Sequence, residues 1–310
     1  MKNYKTIHKI HDAFESGETS PLKLTEYYFA RIKESKHNAY ITLCEERALK
    51  QARLMTDELG SQHQNQVPRK TRPLFGIPMG IKDVLTLDGV RTTAASKMLD
   101  NYHPPYTASA VVKLENAGAI ILGKLNMDEF AMGSSNENSA YGNVLHPTHP
   151  DRVPGGSSGG SGTAVAAGLC FAALGTDTGG SIRLPASFCG VIGVKPTYGR
   201  ISRYGQIAFA SSLDQIGPMT RSIEDAALLC QVMSGQDIFD STTSAREVPN
   251  WMDDLAAEQA IFSAKGLKVG VPKEYFIDGI DSEVKSAIES TIQKLKDQGA
   301  EIVPVSLPHT

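Results

Sequence analysis

Residues 154–183 read Pro154-Gly-Gly-Ser-Ser-Gly-Gly-Ser-Gly-Thr163, then an apolar run from Ala164 to Gly175, then Thr176-Asp177-Thr178-Gly179-Gly180-Ser181-Ile182-Arg183. Two Ser/Gly clusters thus flank one apolar segment. Glycine at this density either leaves the chain floppy or lets the backbone take positive φ and bring bare N–H groups close to something. A flexible linker would not lead straight into Ala164-Val-Ala-Ala-Gly-Leu-Cys-Phe-Ala-Ala-Leu174, so the second purpose is the better reading.

Three catalytic readings then compete. A phosphate-binding loop needs Gly-x4-Gly-Lys-Ser/Thr, and there is no lysine between Lys124 and Lys195. A nucleophile elbow, Gly-x-Ser-x-Gly, is matched by Gly155–Gly159 and again one residue later. It requires a strand before it and a histidine after it. His146-Pro-Thr-His-Pro150 is too proline-broken for a strand, and the only later histidine is His309. The third reading is a serine hydrolase with lysine as its base. Its lysine is found in Phe75-Gly-Ile-Pro-Met-Gly-Ile-Lys82-Asp83-Val84-Leu85. A lysine at a strand end is most often a surface residue, but this one has apolar surroundings and only Asp83 beside it. Desolvation lowers an amine's pKa and can leave it neutral, able to accept a proton. Which of Ser157 and Ser158 would stand next to it is left open by the residues themselves.

Working outward, 310 residues can bury a substantial core, as one large α/β domain or two small ones. The net charge of −3 gives no overall basic footprint for nucleic acid. Arg69-Lys-Thr-Arg72 is a local basic cluster within the polar stretch 62–72, read as an exposed loop. Cys44, Cys170, Cys189 and Cys230 are isolated in sequence, and buried free thiols in a reducing cytoplasm fit best. No apolar run reaches the ~18 residues of a membrane span. No His/Cys/carboxylate cluster has metal-ligand spacing, and His146 and His149 read as loop residues, so no metal is expected.

Local signals place the elements. Ser20-Pro21 opens a helix in the N-cap and N1 manner. Tyr40–Cys44 reads as a strand, Glu45–Leu59 as a helix ended by Gly60, and Ile77–Val84 as a buried strand carrying Lys82. Thr107 caps a helix through Asn116, followed by a strand over Ala119–Gly123. A helix over Ser161–Gly168 and a strand over Phe171–Gly175 come next. Ser222-Ile-Glu-Asp225 reads as a capping box that opens a helix to Ser234. The stretch 236–250 is polar and expected to be mobile. Leu267–Val271 and Ala300–Val305 read as strands around a helix over Asp281–Gln298. Strand–helix–strand alternation predicts an α/β sheet with parallel pairs.

Lys82, the Gly-Gly-Ser-Ser-Gly-Gly-Ser run and Thr-Asp-Thr-Gly-Gly-Ser-Ile-Arg, in this order and separation, resemble the amidase signature family of Ser-Ser-Lys hydrolases. The likeness runs from about Ser20 to the last residue. Three further segments, Met127–Gly142, Lys195–Gly205 and Ala208–Pro218, resemble the branch of that family formed by the glutamine-hydrolysing subunits of tRNA-dependent amidotransferases. The resemblance implies a central mixed, mostly parallel sheet with helices on both faces, in a single domain over 1–310. That domain would comprise a helical segment to about residue 70, a catalytic core over about 71–235 and a C-terminal part over about 236–310. It implies Ser181 as the acyl-forming nucleophile, Ser157 as a proton relay held by a cis peptide bond, and Lys82 as base and then acid. Thr178, Gly179, Gly180 and Ser181 would form the oxyanion hole, with Gly156, Ser158, Asp177 and Arg183 in support. Asp177 and Arg183 are expected to pair and brace the loop. The implied substrate is glutamine and the implied partners are two companion subunits, B and C. ATP, Mg and glutamyl-tRNA(Gln) would be handled mainly by a companion, and this chain itself would carry no cofactor. A free-standing amidase on another small amide, and a catalytically incomplete fragment, are the alternatives. Family members continue well beyond 310 residues, so a C-terminally truncated copy is implied, with the groups for the substrate carboxylate beyond Thr310. Leu184 departs from the glutamine usual after the Ser-Ile-Arg run.

Overall fold

The computed structural model describes residues 4–61, 66–259 and 263–309. Within residues 62–72, the expected loop, positions 62–65 lie outside the described residues. The contacts of the chain divide it into two compact units, Met1–Met252 and Asp253–Thr310.

In the first unit, α1 (Ile7–Glu15) falls in the segment expected to be helical, although no local start signal was read there. Thr6 caps it by accepting from Lys9 N, and Asp225 accepts from Ile7 N, so its first-turn donors are served from near and far in sequence. α2 (Pro21–Glu34) begins as read, with Ser20 Oγ accepting from Lys23 N and Pro21 at the first helical position. Leu24, Tyr28 and Phe29 form its buried stripe. β1 (Tyr40–Leu43) and α3 (Glu45–Ser61) follow. Next come β2 (Ile77–Lys82), α4 (Ser109–Asn116), β3 (Ala119–Leu125), α5 (Gly159–Ala166), β4 (Ala172–Asp177), α6 (Arg183–Cys189), β5 (Ile192–Gly193), β6 (Gln215–Thr220) and α7 (Ile223–Met233), while α8 (Trp251–Gln259) starts at the end of this unit and belongs mostly to the second.

The strands form one sheet in the order β1-β3-β2-β4-β6-β5. β2 pairs in parallel with β3 and with β4, whereas β1–β3, β4–β6 and β5–β6 are antiparallel. Four strands therefore run one way and two the other, which is the mixed, mostly parallel sheet expected. Every residue of β2, β3, β4 and β6 is buried. That explains why these strands read as continuous apolar runs rather than alternating ones. The topology matters for function because parallel neighbours end on the same edge. β2 delivers Lys82 and β4 delivers Thr176 and Asp177 to one edge of the sheet, with Ile81 opposite Leu174.

Several local expectations are corrected. α4 starts at Ser109 without a side-chain cap, and Thr107 instead accepts from Asp88 N. The capping box of α7 is half formed. Ser222 Oγ accepts from Asp225 N, but the Asp225 carboxyl goes to Ile7, because a buried helix end elsewhere offered an unfilled donor. α5 opens two residues earlier than predicted, at Gly159. The stretch 236–250 is tied down rather than loose. Asp240 is buried and accepts from Arg203 N and from Thr242 N and Oγ1, while Asp237 N donates to Thr243 Oγ1.

The second unit holds β7 (Lys268–Pro272), α9 (Ser282–Asp297) and β8 (Glu301–Val305), with β7 and β8 paired in parallel. This is the strand–helix–strand pattern read from the sequence. Among the described residues no helix is long and apolar enough to cross a membrane.

Candidate active site

Lys82 is the last residue of β2 and is fully buried. Its Nζ lies 2.7 Å from Ser157 Oγ, 2.8 Å from Thr176 Oγ1 and 3.4 Å from Thr176 O. Among the described residues it forms no ion pair. Burial pushes its pKa down to about 7, and the more distant charges of Asp128, Asp177 and Asp214 offset only part of that. A neutral amine has two hydrogens and one lone pair. Here Thr176 can take the hydrogens while the lone pair faces the Ser157 hydroxyl, so the 2.7 Å contact can carry a proton either way.

Ser157 is held by the loop between β3 and α5. The Gly156–Ser157 peptide bond is cis. Asp128 N donates to Ser157 O, and Gly156 N donates to Ser134 O at 2.7 Å. Gly156 packs so closely on the Asp128 carboxylate and on Asn136 N that a Cβ there would overlap both. Asp128 in turn accepts from Asn136 N and Asn138 N. It is buried, and that burial raises its carboxyl above the ordinary value. The neighbour Ser158 points elsewhere. Its Oγ donates to Thr176 O and accepts from Thr176 N, saturating it on β4. Of the two serines left open in the sequence, Ser157 is the one whose hydroxyl meets the lysine.

Ser181 lies in the turn from β4 into α6 and is half-buried. Its carbonyl accepts from Ser158 N, which ties the two Ser/Gly clusters together. Asp177 organises the turn. Its carboxylate accepts from Gly180 N, Ile182 N and Arg183 N, and from Arg183 Nε and Nη2 at 3.0 Å each. Burial works against the charge, but these bonds hold its carboxyl below the ordinary value. Gly180 sits at φ +136°, a conformation that favours glycine. The Gly180 N–H is turned onto Asp177 and is not free for an oxyanion. The N–H groups of Thr178, Gly179 and Ser181 donate to no group among the described residues. Thr178 Oγ1 donates to Asp214 at 2.5 Å, and Asp214 also accepts from Phe209 N and Ala210 N, anchoring the other side of the turn.

Three contributors escaped the sequence reading. Thr176 was visible in the motif, but only the side-by-side pairing of β2 and β4 shows that its hydroxyl touches the lysine. Asp128 and Asp214 lie in two of the segments that carry the resemblance, Met127–Gly142 and Ala208–Pro218, but nothing in their local sequence assigns either carboxylate to the site. Asp83, the charge expected beside Lys82, instead pairs with Lys124. His146 and His149 act as loop residues. His146 Nδ1 accepts from Thr148 N and His149 N, which leaves Nε2–H to donate to Phe188 O at 2.9 Å.

This pairing of a buried lysine with a cis-held serine, beside a glycine-rich serine turn, matches a known class. Residues 23–310 match the Amidase family, and the chain belongs to it. The A subunit of glutamyl-tRNA(Gln) amidotransferase from Acidobacterium capsulatum is 56% identical over 273 residues, which are 88% of this chain and 55% of that relative. The crystal structure of the corresponding glutamyl-tRNA(Gln) amidotransferase chain from Thermotoga maritima superimposes with a TM-score of 0.78 at 41% identity, covering 93% of this chain and 59% of that one. The native peptide amidase from Stenotrophomonas maltophilia superimposes with a TM-score of 0.84 at 32% identity, covering 97% and 62%. The chain thus spans about three fifths of the length of the relatives it matches.

Proposed function

We propose that this chain hydrolyses the side-chain amide of glutamine through a seryl acyl-enzyme, and that the ammonia serves conversion of glutamyl-tRNA(Gln) by companion subunits. In this reading neutral Lys82 takes the Ser157 proton while Ser157 takes that of Ser181 Oγ, which attacks the amide carbon. The negative charge formed on the carbonyl oxygen is met by the N–H groups of Thr178, Gly179 and Ser181; each such donor contributes about 3–4 kcal/mol. The proton returns along the same path to the leaving nitrogen, releasing ammonia. Water then repeats the sequence on the ester and releases glutamate. Asp177, Arg183, Ser158 and Gly156 hold the frame and touch no reacting atom. ATP, Mg and tRNA fall to the companion subunits, in keeping with the net charge of −3. The four buried, unpaired cysteines fit a reducing compartment such as the cytoplasm.

The observation that carries the chemistry is the buried 2.7 Å contact between Lys82 Nζ and Ser157 Oγ. Sequence identity to the amidotransferase relatives carries the choice of glutamine. The test is ammonia release from glutamine by the wild type and by Ser181→Ala, with and without the companion subunits. Release by the wild type alone supports the reading, and equal release by both removes Ser181 from the mechanism. A second reading, a free-standing amidase for another amide, is favoured by the peptide amidase superimposing at least as well as the Thermotoga maritima amidotransferase chain. It predicts activity that does not rise when companions and tRNA are added.

A further inference from the structure

Beside the site lies a second lysine that the mechanism does not use. Lys124 on β3 is fully buried, and its Nζ donates to Asp83 Oδ1 at 2.9 Å and to Thr92 Oγ1 at 2.8 Å. Asp83 is also fully buried, and its other oxygen accepts from Thr93 N at 2.9 Å and Thr93 Oγ1 at 2.5 Å. Lys124 is one residue off the level of Lys82, since Ile81 stands opposite Lys124 and Lys82 opposite Leu125. Asp83 directly follows Lys82, at the start of the turn that ends β2, and its carboxylate meets Lys124 while the Lys82 amine meets Ser157. One lysine thus goes to the serines and the next residue to the other lysine.

Such a pair needs a reason. A buried ion pair stabilises a fold little better than apolar residues of the same volume would. The reason lies in the charges around Lys82. The carboxylates whose charge reaches Lys82 are Asp128 beyond the end of β3, Asp177 at the end of β4 and Asp214 at the entrance to β6. Each has its oxygens engaged elsewhere, Asp128 by two backbone N–H groups, Asp177 by Arg183 and its turn, Asp214 by Thr178 and two more. Asp83 is the nearest carboxylate in sequence, and Lys124 is what engages it.

We propose that Lys124 is a positioning residue for the proton relay: by taking up the charge of Asp83, it leaves the Lys82 amine without a counter-ion and so free to act as a base. This deepens the reading of Lys82 given above and rests on it. Removing the ammonium leaves the Asp83 carboxylate with its Thr93 bonds but no cation, one residue from Lys82, which then holds its proton to higher pH. At an effective dielectric of about 20, a unit charge within roughly 10 Å shifts such an equilibrium by about one pH unit or more.

The test measures the rate at which a fluorophosphonate phosphonylates Ser181 Oγ with loss of fluoride, as a function of pH, which needs neither glutamine nor companions. In the wild type the rate should rise through a limb near neutral pH. K124M and K124Q should move that limb up by roughly one pH unit, and so slow labelling about fivefold at pH 7. K124Q keeps hydrogen-bonding capacity towards Thr92 and Asp83 and guards against misfolding of K124M. The double variant D83N/K124M carries no charge at the pair and should return the limb to its wild-type position. Single variants that are slower with an unmoved limb, or a double variant whose limb stays displaced, would show that Lys124 serves the fold alone and overturn the proposal. A wild type that is not labelled at Ser181 would instead sink the underlying reading of the site.

Discussion

At the scale of the residue, the proposed chemistry rests on one amine. Lys82 ordinarily titrates at 10.5 and is brought to about 7 by burial, so its neutral fraction grows as pH rises through about 7. Acylation of Ser181 should follow that fraction, low at about pH 5.5 and level above about pH 8. The same shift affects stability. Between pH 7 and 10.5 the unfolded chain binds more protons at this site than the folded one, so stability rises with pH across that window, and the full penalty applies below it. Lys82→Met removes the penalty. Even after loss of the Ser157 and Thr176 contacts, it should gain on the order of 1–3 kcal/mol in urea unfolding at about pH 6.5 while abolishing activity. Thr176→Val removes the hydroxyl 2.8 Å from the amine and nothing else of size. It should lower the rate of Ser181 acylation about tenfold with little change in stability, because one hydrogen bond that orients the amine is worth about 1 kcal/mol.

At the scale of the element, the site is three loops stitched by carboxylates: Asp128 for the β3–α5 loop, Asp177 for the β4–α6 turn, Asp214 for the approach to β6. Gly156→Ala should be destabilised by about 2–4 kcal/mol in denaturant unfolding, because the new methyl would overlap the Asp128 carboxylate and Asn136 N. Much of this level could be read from the sequence. The glycine clusters, Lys82 and the buried strands announced themselves through composition and apolar runs, and the Asp177–Arg183 pair through proximity in the chain. What escaped depends on distance in sequence. Thr176 meets Lys82 across 94 residues and Asp225 caps α1 across 218, and no local pattern encodes either contact. α6 was hidden because it begins inside the serine motif, and β6 because Gln215-Ile-Gly-Pro-Met-Thr220 carries a glycine and a proline that argue against a strand.

At the scale of the whole molecule, all residues of the site and the entire six-stranded sheet fall within Met1–Met252. The buried core there is continuous from Ile7 to Met233. In Asp253–Thr310, by contrast, α9 contributes no buried residue. A chain ending at Met252 should therefore unfold in one cooperative transition, with a denaturant midpoint close to that of the 310-residue chain. A broad, non-cooperative transition would show that the core depends on the second unit. The same partition predicts that the 2.7 Å lysine–serine contact, and with it reactivity at Ser181, survives the truncation.

The most direct measurement is the pH dependence of covalent labelling at Ser181 by a fluorophosphonate, located by peptide mass, in the wild type and in Lys82→Met. The account predicts a single labelled residue, Ser181, with a rate that rises through about pH 7 and is lost in the variant. Labelling of Ser157 instead, or a Lys82→Met protein that labels as fast as the wild type, would contradict it.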